Sequence, residues 1–328
     1  MRAVVIREPG GPEVLELREV PDPPVPPHHL AVRVQRAAVN RADVLQRLGL
    51  YPAPAGAPRD IPGLEYQGVV ETTGEGVTAH ARGDRVFGLV GGGAYADFVV
   101  VHEREAVRVP EGVTDEQAAA VPEAFVTAWD ALVVRGRAQA GDRVLVHAAG
   151  SGVGTAAVQI ARALGCTVIG TSRTPDKLAR AQALGLDVPV VPANGKFADA
   201  VRAATGGRGV DVVVELVGGG YLAEDMAAAA PRSRIVVVGL TAGAFAELDL
   251  RALLHKRLEI IGTVLRSRPL EEKIEAAQML AQRICPLLAA GTLRPVVDRV
   301  LPLAEAGKAH ELMSSDASFG KILLEIGA

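Results

Sequence analysis

The first part of the chain, up to about Pro122, alternates apolar and polar residues over short stretches. Three such stretches are bounded by Gly and Pro: Leu30–Val34, Gly68–Thr72 and Asp97–Val101. This period of two predicts short strands joined by turns, with one helix over Arg41–Leu48. The Pro-rich segment Pro21–Pro27 is typical of an SH3-domain ligand or of a rigid extended connection, and its place between two strands favours the connection.

From Pro122 onward, continuous apolar stretches of strand length alternate with stretches of helical periodicity. The predicted strands are Arg143–Ala148, Cys166–Thr171, Val188–Val191, Val210–Glu215, Ile235–Gly239 and Leu258–Thr263, with a closing strand near Ile322–Ile326. The predicted helices include Val153–Leu164, Pro175–Leu184 and Pro269–Ala290. Such an alternation predicts an α/β fold with a parallel sheet covered on both faces, the doubly wound arrangement.

Length and composition narrow the class of protein. The 328 residues exceed one compact core, and 49% hydrophobic with 22% charged residues is typical of a folded chain of two domains. A net charge of -3 disfavours nucleic-acid or anionic-membrane partners. Cys166 and Cys285 are too few for a disulfide framework, and neither a signal peptide nor a bilayer-length apolar run is found. We therefore expect a cytoplasmic protein.

The segment Ala148–Gly154 joins the first strand of the second half to its first helix. Small residues there allow a sharp turn, and the helix N-terminus offers free N–H groups to a pyrophosphate. The pattern is not a full G-x-G-x-x-G, because Gly150-Ser-Gly152 is followed by Val153 and Gly154. The strand before it, the helix after it and a second strand ending about twenty residues later favour a dinucleotide site over a ligand-free turn.

The end of the second strand indicates which dinucleotide is bound. NAD enzymes usually carry Asp or Glu there, whereas this chain continues with Ser172 and Arg173, and with Lys177 in the next helix. A hydroxyl and two cations suit the 2′-phosphate of NADPH. The alternative is that Arg173 and Lys177 belong to a solvated helix start, but cations near a helix N-terminus oppose its dipole. The sequence therefore predicts NADPH.

Seven motifs spread along the chain carry a family resemblance. They are Asn40-Arg-Ala-Asp43, Gly49-Leu-Tyr-Pro52, Pro62-Gly-Leu-Glu65, Thr127-Ala-Trp129, Ala149–Gly154, Gly262-Thr-Val-Leu-Arg266 and Gly320-Lys321. With them the chain resembles the zinc-independent quinone oxidoreductases of the medium-chain dehydrogenase/reductase superfamily, especially the stress-inducible NAD(P)H quinone oxidoreductase branch. The resemblance implies a GroES-like partial β-barrel catalytic domain over 1–122 and 266–328, a Rossmann domain over 123–265, and a homodimer.

The resemblance also implies roles for individual residues. Asn40 and Tyr51 are expected to line the substrate cleft and Thr127 to lie near the nicotinamide, each able to donate a hydrogen bond to the oxygen that gains charge. Without the resemblance, Asn40 is interpreted as a strand-end turn residue and Tyr51 as a packed loop aromatic. The expected cofactor contacts are Ser151, Gly152, Val153, Gly154, Ser172, Arg173, Lys177, Val217, Gly239, Leu240, Thr241, Leu265, Arg266 and Lys321.

At several positions this chain differs from related families, and these differences bear on metal binding and on the side chains available at the site. Zinc alcohol dehydrogenases place a Cys near Ala38–Asn40 and a His before the Glu of their G-H-E motif, where this chain has Leu64, so no metal is expected. Leu45 stands where some bacterial members carry a Tyr. Pro192 and Ala193 stand where many relatives place a Tyr against the adenosine phosphate.

Without a Lewis acid, the expected reaction is hydride transfer to an acceptor that is already reactive. The first hypothesis is an NADPH-dependent quinone oxidoreductase acting on small quinones. The alternatives are an NADPH-dependent alkenal or enone double-bond reductase and a non-catalytic NADPH-binding protein.

Overall fold

The computed structural model describes residues 1–327, which form two compact units. The first unit comprises Met1–Val126 and the described residues of Leu265–Ala328, and the second comprises Thr127–Val264. One division falls inside a helix, a few residues after the predicted boundary at 122/123, and the other falls one residue before the predicted boundary at 265/266.

The strands of the described chain follow in order. They are β1 (Arg2–Ile6), β2 (Leu15–Glu19), β3 (His29–Ala38), β4 (Glu65–Thr73), β5 (Arg85–Leu89), β6 (Phe98–His102), β7 (Val107–Arg108), β8 (Arg143–Val146), β9 (Thr167–Thr171), β10 (Val188–Val190), β11 (Val210–Glu215), β12 (Ala229–Val237), β13 (Glu259–Gly262), β14 (Val297–Pro302) and β15 (Lys321–Glu325).

The helices are interleaved with these strands. They are α1 (Arg41–Arg47), α2 (Asp115–Ala119), α3 (Pro122–Trp129), α4 (Gly152–Ala163), α5 (Pro175–Gln182), α6 (Ala198–Ala204), α7 (Tyr221–Ala228), α8 (Leu250–Lys256), α9 (Leu270–Met279), α10 (Cys285–Ala289) and α11 (Ala306–Ser314). Short 3-10 turns cover Pro12–Val14 and Leu303–Glu305, and wider π-type turns cover Asp130–Arg135 and Leu280–Ile284.

The first unit is built on a seven-stranded, mostly antiparallel sheet centred on β3. The strand order is β14-β15-β3-β4-β5-β7, and β6 also pairs with β3. Leu30, Val32 and Val34 of β3 are fully buried beside Tyr66 and Tyr95. The three strands predicted from alternation correspond to β3, β4 and β6, and the predicted closing strand corresponds to β15. The Pro-rich segment before β3 lies outside any helix or strand, as predicted.

Two features of the first unit differ from the sequence-based prediction. The helix predicted over Pro269–Ala290 is interrupted, because α9 ends at Met279 and a π-type turn precedes α10. Pro286 explains the interruption, since its ring lacks an N–H and clashes with the carbonyl one turn earlier. β14 was not predicted, because its half-buried side chains do not alternate cleanly.

The second unit contains a six-stranded parallel sheet in the order β10-β9-β8-β11-β12-β13. Leu145, Ile169, Val213 and Ile235 are among its buried core residues, because both faces of the sheet are covered by helices. All six predicted strands and the doubly wound fold are confirmed. The strand order reverses between β8 and β11, and in such sheets ligands bind at the carboxyl ends of the strands that flank the reversal.

Within residues 1–327, none of the helices combines the length and the apolar character needed to cross a bilayer.

Candidate active site

Two sequence motifs of the first unit meet at a buried carboxylate, Asp43 in the first turn of α1. Its Oδ2 accepts the backbone N–H of Asn40 at 2.8 Å, and its Oδ1 accepts the backbone N–H of Gly63 at 2.9 Å. Gly63 has a φ of +105°, and a β-carbon there would lie 2.6 Å from the Tyr95 ring. Burial raises the pKa of Asp43 to about 6. Asp43 therefore ties the start of α1 to the segment before β4.

A second buried carboxylate, Glu65 at the start of β4, organises an ion-pair network. The Lys321 Nζ lies 2.7 Å from Glu65 Oε1 and also donates to Asn40 Oδ1 at 2.6 Å and to the Val39 carbonyl at 3.2 Å. The Asn40 Nδ2 donates to Glu65 Oε1 at 2.9 Å and to the Ala38 carbonyl at 3.2 Å. All N–H groups of the Asn40 amide and the Lys321 ammonium thus have acceptors within the first unit. Either side chain can therefore donate a hydrogen bond to a ligand only if it releases one of its present acceptors.

The other oxygen of this carboxylate holds the start of α3. Glu65 Oε2 accepts the backbone N–H of Glu123 at 2.8 Å. The Glu123 side chain is half-buried, and burial together with the negative charge of Glu65 raises its pKa to about 7. Glu123 was not predicted as a site residue. The available signal was an acidic residue in the first turn of a helix that follows the apolar run Ala118–Val121.

Arg266 fixes the loop that carries Tyr51. Its buried guanidinium donates from Nε to the Gly91 carbonyl at 2.8 Å, from Nη1 to the Tyr51 carbonyl at 3.2 Å, and from Nη2 to Gln46 Oε1. The guanidinium carbon lies 5.2 Å from the centre of the Tyr51 ring, a cation–π distance. Burial raises the pKa of Tyr51, whose side chain is half-buried. Leu265, the preceding residue, is buried.

In the second unit, the predicted Gly-rich turn places a helix N-terminus at the carboxyl edge of the parallel sheet. Ala148 has a left-handed φ of +45°, and the Ser151 hydroxyl accepts the Gly154 N–H at 3.0 Å, which caps α4. A β-carbon at position 154 would lie 2.2 Å from the Ala148 carbonyl oxygen, so glycine is required there. Gly152 and Val153 are half-buried in the first turn of α4.

The residues predicted to recognise a 2′-phosphate follow β9, the neighbour of β8. The side chain of Ser172 is buried, and its hydroxyl accepts the Thr174 N–H at 3.3 Å. Arg173 is exposed, and its charge lowers the pKa of Tyr221, which burial raises. Lys177 is half-buried in the first turn of α5. The structure therefore brings these three residues to the sheet edge that also carries the Gly-rich turn.

The remaining predicted contacts of the second unit follow β11 and β12. Gly239 donates its N–H to the Glu215 carbonyl at 3.2 Å, and a β-carbon there would lie 2.5 Å from the Leu216 carbonyl oxygen. Leu240 and Thr241 are exposed, and Val217 is half-buried.

The predicted site residue Thr127 lies in α3. Its hydroxyl oxygen is buried and has no hydrogen-bond partner among residues 1–327. A buried hydroxyl usually has a partner, so this one fits a ligand group that meets it there.

Sequence reasoning did not identify the buried cluster of His147, Glu215 and Asp225. The His147 Nε2 lies 2.7 Å from Asp225 Oδ1 and 3.7 Å from Glu215 Oε2, and its Nδ1 lies 2.8 Å from the Thr171 hydroxyl. Glu215 Oε1 accepts two backbone N–H groups of the following loop, at Val217 and Gly218. The available signal was one polar residue at the end of each apolar strand, β8 and β11.

Burial decides the protonation of this cluster. It lowers the pKa of His147 to about 4 and raises that of Glu215 to about 8 and that of Asp225 to about 7. Ionising both carboxyl groups would leave two adjacent buried charges, because no cation lies between them. The cluster therefore holds a proton at neutral pH.

Comparisons with known proteins agree with these two units. Residues 26–111 match the alcohol dehydrogenase GroES-like domain, and residues 152–282 match the family described as zinc-binding dehydrogenase. The quinone oxidoreductase of Rattus norvegicus is 34% identical over 99% of this chain and 97% of its own length. This chain belongs to the medium-chain dehydrogenase/reductase superfamily. Its second unit has the nicotinamide-cofactor-binding fold of that superfamily.

Solved structures of this superfamily cover the whole chain. A crystal structure of an NAD-dependent alcohol dehydrogenase has a TM-score of 0.90 at 35% identity, covering 100% of both chains. The Escherichia coli quinone oxidoreductase complexed with NADPH has a TM-score of 0.89 at 28% identity, covering 99% of this chain and 100% of its own. The chain spans only 10% of the length of the Mycobacterium tuberculosis phthioceranic/hydroxyphthioceranic acid synthase, to which it is 39% identical over 205 residues.

The name of the matched dehydrogenase family implies zinc, but the side chains around Glu65 do not fit it. Leu64 precedes Glu65, and the neighbouring polar side chains are an amide and an ammonium group, from Asn40 and Lys321. Zinc sites use thiolate, imidazole and carboxylate ligands, so this donor set offers one ligand and one competing cation.

We expect Lys321→Met to destabilise the first unit strongly, because it leaves the Glu65 carboxylate buried without its cation. The expected loss is about 3–5 kcal/mol in the free energy of unfolding, measured by urea denaturation. The control Lys308→Met removes an exposed pair with Glu305 and is expected to cost less than about 1 kcal/mol. The double variant with Glu65→Gln should recover part of the loss. A change of less than about 1 kcal/mol in Lys321→Met would contradict this role.

The buried cluster also predicts how stability depends on pH. Above about pH 6.5 an unfolded histidine is neutral like the folded one, so His147 no longer contributes. The folded state still binds protons on Glu215 and Asp225 more tightly than the unfolded chain. The free energy of unfolding of the second unit should therefore fall as pH rises from about 6.5 through about 8.

In Asp225→Asn, the loss of unfolding free energy over this pH range should be about 1–2 kcal/mol smaller than in wild type. The reason is that the amide needs no proton and can donate to Glu215. Fluorescence of Trp129, the single tryptophan, reports unfolding of the second unit. The exposed Asp199→Asn on α6 is the matched control and should keep the wild-type slope. An unchanged slope in Asp225→Asn would show that Asp225 does not hold a proton at neutral pH.

Proposed function

We propose that this chain is an NADPH-dependent quinone oxidoreductase that transfers hydride without a metal. The observation that carries the proposal is the Lys321 ammonium group bound to Glu65 and Asn40, since it excludes a zinc ligand set at that position. A carbonyl group that no metal polarises is a poor hydride acceptor, whereas a quinone is already electrophilic. The similarity to the rat quinone oxidoreductase over nearly the full chain supports the same acceptor class.

The cofactor we propose is NADPH. The capped N-terminus of α4 at Ser151–Gly154 would hold the pyrophosphate, and Ser172, Arg173 and Lys177 would hold the 2′-phosphate. When bound, the cofactor supplies the hydride. The buried hydroxyl of Thr127 would meet the nicotinamide side, and Gly239, Leu240 and Thr241 would contribute backbone groups. The NADPH complex of the similar Escherichia coli enzyme supports this assignment.

The substrate side of the proposal rests on two residues of the first unit. Arg266 holds Tyr51 in place, and Asn40 belongs to the network of Glu65. Asn40 can donate to a ligand only by releasing one of its present acceptors. Leu265, Arg266 and Lys321 remain candidate cofactor contacts, although the side-chain donors of Arg266 and Lys321 bond within the first unit. An alkenal or enone acceptor would use the same groups, and the experiment below separates the two classes.

We also propose a cytoplasmic homodimer. β13 is an edge strand of the parallel sheet, so one of its backbone edges is unpaired. Apolar side chains are exposed nearby, with Phe245 94% and Leu254 75% accessible. A second copy of this chain would cover both, and sedimentation velocity over a concentration series tests that assembly.

We expect the wild-type protein to oxidise NADPH with a benzoquinone faster than with an α,β-unsaturated aldehyde, and to prefer NADPH to NADH. Arg173→Ala should raise the KM for NADPH by about 10–100-fold and leave NADH use nearly unchanged, because only NADPH carries the 2′-phosphate. Steady-state rates with each cofactor and acceptor provide the measurement.

Arg180→Ala, an exposed cation on the same helix as Lys177, is the control and should behave as wild type. Equal use of NADH and NADPH by wild type and Arg173→Ala would overturn the cofactor assignment. A clear preference for the aldehyde would replace the quinone with an enone. Stoichiometric NADPH binding with no turnover of any acceptor would support the alternative that the chain is a non-catalytic NADPH-binding protein.

A further inference from the structure

Reduction of either acceptor class requires a proton as well as a hydride. A quinone that has received hydride is a hydroquinone anion, and a reduced enone is an enolate. In the first unit, Leu45 offers no proton and the Asn40 amide already donates both of its N–H groups. The proton therefore has to come from another side chain or from water.

Glu123 has the placement that a proton donor needs. Its backbone N–H is held by Glu65 Oε2 at 2.8 Å, which fixes the first turn of α3. Its carboxyl group has no hydrogen-bond partner among residues 1–327, in contrast to the carboxyl groups of Asp43 and Glu65. The side chain is half-buried, so it retains access to water.

The charges around Glu123 favour its protonated form without enforcing it. The titratable groups that interact electrostatically with it are Glu65 of β4, Asp43 of α1, Lys321 of β15, Arg266 after β13 and Tyr51 after α1. Burial and the two carboxylates favour the neutral acid, whereas the ammonium and guanidinium groups favour the anion. Because burial and the carboxylates outweigh the two cations, the pKa of Glu123 is raised to about 7, and both forms are populated near neutral pH.

We propose that the Glu123 carboxyl group donates this proton to an acceptor bound beside Tyr51. The inference rests on the proposed function, which supplies the hydride. As the acceptor gains two electrons and one hydrogen with the hydride, the O–H bond of Glu123 breaks and its proton passes to the anionic oxygen of a quinone. With an enone, the proton passes to the carbon next to the carbonyl. The Glu123 carboxylate then regains a proton from water.

The test compares Glu123→Gln and Glu123→Asp with wild type, with the exposed Glu116→Gln on α2 as the matched control. In the cofactor-free protein, infrared absorption of protonated carboxyl groups includes Glu123 together with Glu215 and Asp225. The difference between the wild-type and Glu123→Gln spectra should contain a protonated-carboxyl band that disappears with a midpoint near pH 7. The difference between the wild-type and Glu116→Gln spectra should not contain it. Unchanged thermal melting confirms that the variants are folded.

In turnover with a benzoquinone, the wild-type kcat should fall as pH rises above about 7 and should show a solvent deuterium isotope effect. Glu123→Gln should lower kcat by about 10²-fold and lose both the pH dependence and the isotope effect. Glu123→Asp should recover part of the rate with a shifted pH midpoint. Tyr51→Phe should keep the wild-type pH dependence.

Two results would overturn the inference while leaving the proposed function intact. One is a wild-type pH profile and solvent isotope effect that persist in Glu123→Gln, and the other is an infrared titration that Glu123→Gln does not change. Absence of wild-type turnover with every acceptor is a different result, which overturns the proposed function and this inference together.

Discussion

The ion pair between Lys321 and Glu65 is the interaction on which the first unit's site depends. It joins the start of β15 to the start of β4, two strands that lie on either side of β3. Through its other contacts it holds Asn40 at the end of β3 and the first turn of α3. A buried pair of this kind contributes little net stability, but removing one partner is costly, so its geometry is strongly enforced.

The same pair underlies our proposal that this member of a dehydrogenase superfamily acts without zinc. The positive charge that a metal would place beside Glu65 is supplied here by an ammonium group, which has no vacant coordination position for a carbonyl oxygen. It can hold neighbouring side chains but cannot act as a Lewis acid on a substrate. We therefore propose hydride transfer to an activated acceptor, together with a source of protons, as the chemistry of this site.

In the second unit, the sheet edge combines a helix N-terminus with a buried cluster that retains a proton. The turn before α4 offers N–H groups to an anion, and its glycine at position 154 is required by contact with the Ala148 carbonyl. His147, which precedes this turn in the chain, is buried together with the carboxyl groups of Glu215 and Asp225. The proton that this cluster retains reduces the negative charge at the edge that we assign to the cofactor phosphates.

The sequence predicted the elements better than it predicted the side-chain partners. Period-two alternation and continuous apolar runs are local signals, and they identified β3, β4 and all six strands of the parallel sheet. The partnership of Lys321 with Glu65 depends on β15 pairing with β3 and β3 pairing with β4, which no local pattern encodes. For the same reason the sequence did not identify Glu123 or the His147 cluster.

If the Lys321 ammonium group takes the place of a metal beside Glu65, removal of metal should leave turnover intact. Wild-type protein is dialysed against a strong chelator, its metal content is measured by mass spectrometry, and NADPH oxidation with a benzoquinone is recorded before and after. We expect an unchanged rate and no stoichiometric metal. Loss of the activity on chelation, with recovery on addition of Zn²⁺, would contradict it.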